Sequence, residues 1–225
     1  MELLETVEFE TGAAPRAAVI WMHGLGADGH DFAPIVPELA LPSSLSIRFV
    51  FPHAPMRPVT INRGWVMRAW YDVYDDGGER REDVTGVRES QASITGLIER
   101  ERTRGIDAGR IVLAGFSQGG AMALHTALRH GERLAGIMAL SCFLPQPATL
   151  AAEATPANRD VPIFMAHGAG DAVIPPERAR RSRDALTGAG YVVEWREYQM
   201  AHAVCPEEIG DISAWLSRVL AQPTR

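Results

Sequence analysis

Apolar positions along this chain follow two rhythms. Ala17–Met22, Arg110–Ala114 and Leu134–Leu140 are continuously or nearly continuously apolar. Such runs suit central strands of a parallel sheet covered on both faces. Further strand-like runs fall at Leu4–Phe9, Ser46–Phe51, Pro162–Ala166 and Tyr191–Tyr198, and the third central run extends to Ser141. Helical spacing occupies the gaps. Within Asp83–Arg104, Val87, Ile94, Leu97 and Ile98 form one stripe, and Gly105 is the expected stop. Shorter helices are expected over Phe32–Leu39, Gln118–His130, Pro176–Thr187 and Pro206–Leu220. The last begins Pro-Glu-Glu, where proline has no helical N–H to lose and the acids meet the positive end of the helix dipole. Strand and helix alternate without repeat, low-complexity tract or linker. The pattern predicts one domain over residues 1–225, a three-layer α/β architecture with a mostly parallel central sheet and helices on both faces.

Residues 52–82 break the pattern. They are proline-marked and carry Trp65, Met67, Trp70, Tyr71 and Tyr74. Val59–Ile61 and Trp65–Met67 flank Asn62-Arg63-Gly64, the outline of a small hairpin. An irregular stretch of this length is functional or disordered, and its aromatic content speaks against disorder. Two roles stand open: a wall or lid over a pocket, or an aromatic patch packed on the sheet edge.

Composition narrows the classes. The chain of 225 residues is 46% hydrophobic and 22% charged, with a formal net charge of −6. That balance disfavours a general nucleic-acid surface and offers no attraction to anionic membranes. Arg178, Arg180, Arg181 and Arg183 cluster, at spacings expected to scatter them around an exposed helix. Cys142 and Cys205 imply no disulfide framework. No run approaches 18 apolar residues and the start of the chain lacks signal-peptide blocks, so no stable membrane insertion and a cytoplasmic location are expected.

The chemistry centres on Gly115-Phe-Ser-Gln-Gly119, a G-x-S-x-G pentapeptide between a strand-like run and a helix-like one. In that setting it forms a nucleophile elbow, with Ser117 exposed on a tight turn. A side chain on either glycine would crowd the serine or the neighbouring strand. A serine hydroxyl needs a base in hydrogen-bond reach and an acid to orient that base. Of the histidines after Ser117, His125 and His130 ride the outgoing helix, and His167, followed by Gly168, reads as a structural turn residue. His202, in the loop after the last strand, is left as the base. Asp171 follows the preceding strand in a loop with Gly168 and Gly170, which let the chain turn and its carboxylate reach inward. Asp160 falls at the opposite edge, and Asp184 and Asp211 fall on helices as surface charges. An oxyanion needs preorganised donors. One is the backbone N–H of Gln118, and His23-Gly24-Leu25-Gly26 is the loop to supply another. That loop lacks the lysine and spacing of a phosphate cradle. No metal is expected, because no two His or Cys residues stand at ligand spacing beside a third ligand. No cofactor is called for.

Four segments together resemble the phospholipase/carboxylesterase family of α/β hydrolases: His23–Gly29, Gly115–Gly120, Gly168–Pro175 and Tyr198–Val204. Phe51–Pro55 and Gly64–Asp72 resemble its pocket-side loop. The resemblance runs in order over about Ala17 to Leu220. It implies the α/β-hydrolase fold, Ser117 as nucleophile, Asp171 as acid, His202 as base, and backbone donors at Leu25 and Gln118. It departs at Ala201, where the family usually has glycine, and at Met67-Arg-Ala-Trp70, where Arg68 adds charge expected near the pocket mouth. The function expected is hydrolysis of short- to medium-chain carboxylic esters through an acyl-enzyme. Alternatives are an acyl-protein thioesterase or lysophospholipase with the same residues, and an inactive hydrolase-like binding module. The expected partner is a small acyl ester, with a homodimer as a further option.

Overall fold

A computed structural model describes residues 3–77 and 79–221; Gly78, within the 52–82 segment, lies outside the described residues. The strands are β1 (Thr6–Glu10), β2 (Ala17–Met22), β3 (Ile47–Pro52), β4 (Met56–Val59), β5 (Trp65–Arg68), β6 (Val73–Asp76), β7 (Glu79–Glu82), β8 (Ile111–Phe116), β9 (Gly136–Leu140), β10 (Ile163–Gly168) and β11 (Val193–Tyr198). The α-helices are α1 (Ile35–Glu38), α2 (Val84–Thr103), α3 (Gln118–Arg129), α4 (Leu150–Glu153), α5 (Pro176–Gly188) and α6 (Pro206–Ala221).

Seven strands form one sheet in the order β1-β3-β2-β8-β9-β10-β11. All neighbours are parallel except β1, which pairs antiparallel with β3. Strand alternation divides the core. Ala18, Ile20 and Met22 of β2 face one apolar layer with the α2 stripe Val87, Ile94, Leu97 and Ile98 and with Met122 and Leu124 of α3. Ala17, Val19 and Trp21 face the other, with Ile35 and Val36 of α1 and Ile212, Trp215 and Leu216 of α6. Being apolar on both faces is what puts β2, β8 and β9 inside the sheet.

Elements differ from the sequence reading mainly at their ends. The expected helix over Phe32–Leu39 is a single turn: Pro37, inside it, has no N–H to donate to Ala33 O, and Ala40 at φ 44° turns the chain away just after Leu39. The long helix starts where Asp83 accepts from the N–H groups of Thr85 and Gly86, an N-cap. The small hairpin exists, but its first strand is β4, and Thr60–Asn62 form a 3-10 turn instead of continuing it. Asp72 is the cause: its carboxylate takes the Thr60 N–H at 2.7 Å and the Thr60 hydroxyl at 2.6 Å, pulling that residue out of the ladder. A second hairpin, β6–β7, follows and pairs Val73 with Glu82. No helix among the described residues is long and apolar enough to cross a membrane.

Three of the four clustered arginines are paired with acids: Arg178 with Glu82, Arg180 with Glu197, and Arg183 with Asp184. Cys142 is buried, which pushes its thiol pKa up, and Cys205 is half-buried; both are free.

Candidate active site

Ser117 stands between β8 and α3 with φ 55° and ψ −119°. A non-glycine residue at positive φ is strained by roughly 1–3 kcal/mol and persists only where its surroundings enforce it. Here they do. The Ser117 N–H donates to Leu140 O on β9 at 2.8 Å, and its carbonyl accepts the Ala121 N–H at 3.0 Å. A Cβ on Gly119 would lie 2.2 Å from Met22 O on β2, so α3 can begin this close to the sheet only with glycine there.

The chain ends of three strands converge on this serine. His202 Nε2 lies 2.9 Å from Ser117 Oγ, and His202 Nδ1 lies 2.6 Å from Asp171 Oδ2. An ionised carboxylate only accepts, so the Nδ1 position carries the proton and Nε2 presents its lone pair to the serine hydroxyl. The other carboxylate oxygen, Oδ1, accepts the N–H groups of Val173 and Ile174, both at 2.9 Å. Asp171 is buried and His202 half-buried. The two loops are stitched together: Ala169 N–H donates to Tyr198 O and Gly170 N–H to Met200 O. Gly168 and Gly170 are not at positive φ. Gly168 instead permits close approach, since a Cβ there would lie 2.3 Å from Ala201 O. Ala201 is not at positive φ either, so alanine fits that position without strain.

Two further residues support the pair. The Phe116 ring lies 4.7 Å, centroid to centroid, from the His202 ring, and Phe32 and Trp21 continue the stack behind it. His167 lies within β10 and is fully buried, so it is not the turn residue expected. Its Nε2–H donates to Ile174 O at 2.9 Å and stands 3.3 Å from Asp171 Oδ2. Burial pulls its pKa below the ordinary histidine value, so it serves that loop as a neutral donor.

Leu25 and Gln118 both line the recess that holds Ser117. Gly24–Ala27 form a turn closed by Ala27 N–H to Gly24 O, with Gly26 at φ +80°, which a type II turn requires at its third position. Gly26 N–H donates to Arg68 O, anchoring the loop to β5. His23 adds a second anchor: its Nδ1–H donates to Gly24 O at 2.7 Å and its Nε2 accepts the Ala54 N–H at 3.0 Å. Burial lowers the His23 pKa and keeps the ring neutral, as this donor–acceptor arrangement needs. Gln118 is clamped by its side chain, whose amide donates to Tyr71 O at 2.8 Å and accepts the Trp70 N–H at 2.7 Å.

The 52–82 segment both packs and lines. Trp70 and Tyr71 are buried, and the Trp70 indole donates to His23 O. Trp70 therefore braces the loop from behind and is not pocket wall. Arg68 is tied back too, donating to Ala54 O at 2.9 Å, and does not stand at the pocket mouth. Ile61, Asn62, Tyr71, Val73 and Glu82 are the parts of the segment that line the recess, whose volume is about 370 Å3. Phe143, Val173, Ile174 and Arg178 complete it.

Asp28, His30 and His53 meet within 4.8 Å, a convergence that spacing along the chain conceals. Three of their six candidate ligand atoms have protein partners. Asp28 Oδ1 accepts the His30 N–H and faces His30 Nδ1, and His53 Nδ1 accepts the Gly29 N–H.

The sequence model of the phospholipase/carboxylesterase family matches residues 5–220. This chain belongs to that family. Its fold is the α/β-hydrolase fold, and it is a carboxylic ester hydrolase of the serine type. It is 39% identical to acyl-protein thioesterase 1 of Gibberella zeae over 221 residues, 94% of each chain. It is 41% identical to acyl-protein thioesterase 1 of Neurospora crassa over 218 residues, covering 92% of this chain and 89% of that one. Among solved structures, Arabidopsis thaliana SOBER1 superposes with a TM-score of 0.85 at 29% identity, covering 91% of this chain and 99% of the other. Zea mays acyl-protein thioesterase 2 gives 0.84 at 28% identity, covering 96% and 99%.

Proposed function

We propose that this hydrolase cleaves acyl thioesters and carboxylic esters through a covalent acyl-enzyme on Ser117, with acylated protein cysteines as the favoured substrate class. The hydrogen-bonded series Asp171–His202–Ser117 carries the reading. Ser117 Oγ attacks the acyl carbonyl while His202 Nε2 takes its proton. Asp171 holds the imidazole in the required tautomer and stabilises its charged form. The developing oxyanion accepts from the backbone N–H groups of Leu25 and Gln118. His202 returns the proton to the leaving group. An alkoxide needs that proton, whereas a thiolate leaves with less help, so one site serves both ester types. Water activated by His202 then attacks the acyl-enzyme and frees the carboxylic acid and Ser117.

The thioester preference draws on the names of the two fungal relatives. A simple carboxylesterase is the second reading, favoured by the family description and sharing every step. The test compares an S-acylated peptide with a p-nitrophenyl ester of the same acyl length, for wild type and Ser117→Ala. The expected result is a higher kcat/KM on the thioester and loss of both activities by several orders of magnitude in the variant. Near-wild-type turnover by Ser117→Ala would sink the mechanism. Ester cleavage far outpacing thioester cleavage would select the second reading.

A further inference from the structure

The recess that holds Ser117 does not stand alone. A second recess of about 270 Å3 lies alongside it, lined by Leu144, Pro147 and Ala185 among others. Glu82, Phe143 and Arg178 line both, and Ser117 lines only the first. These three side chains stand where the two recesses meet. We propose that the Glu82–Arg178 ion pair, seated on Phe143, is the end wall of the acyl pocket and sets the longest acyl chain that binds there. The proposal rests on the reading of Ser117 as an acyl-transfer nucleophile.

The partition is held from several sides. Arg178 Nη2 donates to Glu82 Oε1 at 2.5 Å, and the guanidinium carbon lies 3.5 Å from the centroid of the Phe143 ring. That contact is a cation–π stack at close range. Glu82 is set by the β6–β7 register directly opposite Val73, which lines the same recess. Arg178 is set by the first turn of α5. Ser182 ties that turn to the segment after β9, accepting the Leu144 N–H at 2.9 Å and donating to Arg178 O at 2.9 Å.

The chemistry gives the wall its effect. An acyl chain growing along apolar lining gains about fourfold in kcat/KM for each methylene buried. A chain long enough to meet Glu82 and Arg178 must either stop short or separate a half-buried ion pair, and a hydrocarbon cannot replace the partner it removes. The gain therefore ends at the wall and turns into a loss. Beyond the wall, Leu144, Pro147 and Ala185, flanked by Arg181 and Ser182, offer apolar surface that a longer chain would use if the partition were gone.

The test measures kcat/KM over p-nitrophenyl esters from C4 to C16, kept below their micellar concentrations. It compares wild type, the double variant E82A/R178A, the variant Phe143→Ala and the similarly sized neutral pair E82Q/R178M. Wild type is expected to rise with chain length and then break. E82A/R178A and, independently, Phe143→Ala are expected to raise the C12-to-C4 ratio tenfold or more, while E82Q/R178M, which keeps the bulk and loses the ion pair, is expected to move the break to longer chains by a smaller amount. A wild-type profile that climbs through C16 without a break overturns the proposal. So does a ratio within threefold of wild type in an opened variant that melts as a folded protein. An E82Q/R178M profile identical to wild type also overturns it, because side-chain bulk and not the ion pair would then set length. Absence of all ester and thioester turnover in wild type would instead overturn the underlying acyl-transfer reading.

Discussion

Replacing Asp171 by asparagine changes one atom type and is expected to abolish most catalysis. The environment of the carboxylate dictates how the new amide sits. Oδ1 accepts two backbone N–H groups, from Val173 and Ile174, and Oδ2 faces His202 Nδ1. An amide oxygen in the Oδ1 place keeps both backbone bonds and turns its NH2 toward His202. The reverse orientation sets the amide NH2 against these donors, leaving that buried NH2 and the buried Ile174 N–H without acceptors at roughly 1–3 kcal/mol each. The amide therefore donates to Nδ1, and the imidazole proton moves to Nε2, where it faces Ser117 Oγ. The base then presents a proton instead of a lone pair. Regaining the working tautomer requires the disfavoured flip, about 2–6 kcal/mol, or roughly 30- to 10⁴-fold in rate. Loss of the imidazolium's countercharge adds to this, so a fall in kcat near 10⁴-fold is expected. The assay is steady-state hydrolysis of a p-nitrophenyl ester and an S-acylated peptide, with thermal melting to establish that the variant folds. A folded Asp171→Asn with kcat within tenfold of wild type would refute the tautomer argument.

Gly119→Ala is expected to lose the elbow, since its Cβ would meet Met22 O at 2.2 Å; the measurements are soluble yield, melting temperature and activity, and a wild-type melt would contradict the packing account. Gln118→Leu is expected to destabilise the fold by about 2–4 kcal/mol, because the Trp70 N–H and Tyr71 O lose their buried partners; denaturant titration reads this directly. Burial pushes the Glu208 carboxyl up to about 8, well above its ordinary value near 4.5. The folded state then holds a proton that the unfolded chain has released. The contribution of Glu208 to stability therefore falls by about 1.4 kcal/mol for each pH step of one between about 4.5 and about 8, and levels off above. Glu208→Gln is expected to flatten that slope and raise the melting temperature at pH 8; equal slopes in both proteins would count against it.

The convergence of the candidate site's residues was legible because each one's setting is local. Ser117, Asp171 and His202 each sit in a short loop just after a strand-like run, and a parallel sheet gathers such loops at one edge. The apolar runs of β2, β8 and β9 were equally plain. What escaped depends on contacts between distant segments. β7 reads Glu-Arg-Arg-Glu, with no apolar alternation to mark a strand, so the second hairpin was invisible. His167 has the same neighbours in sequence whether it caps a turn or braces Asp171, and only its burial and its 3.3 Å approach to the carboxylate separate the two. Arg178 belonged to a cluster of arginines whose spacing suggested solvent, and its partner Glu82 lies on the far side of the elbow in sequence. Arg68 and Trp70 drew notice as the departing or aromatic positions of the pocket-side loop. The fold uses them behind the loop, and the recess is lined instead by their neighbours Ile61, Asn62 and Val73.

The central claim is that the acyl group passes through Ser117. Rapid acid quench of the enzyme mixed with excess S-acylated peptide or p-nitrophenyl ester, followed by intact and peptide mass spectrometry, tests it most directly. The account predicts a mass increase equal to one acyl group, located on the peptide that contains Ser117 and absent from Ser117→Ala. Turnover with the acyl group found on another residue, or undiminished turnover by Ser117→Ala, would contradict it.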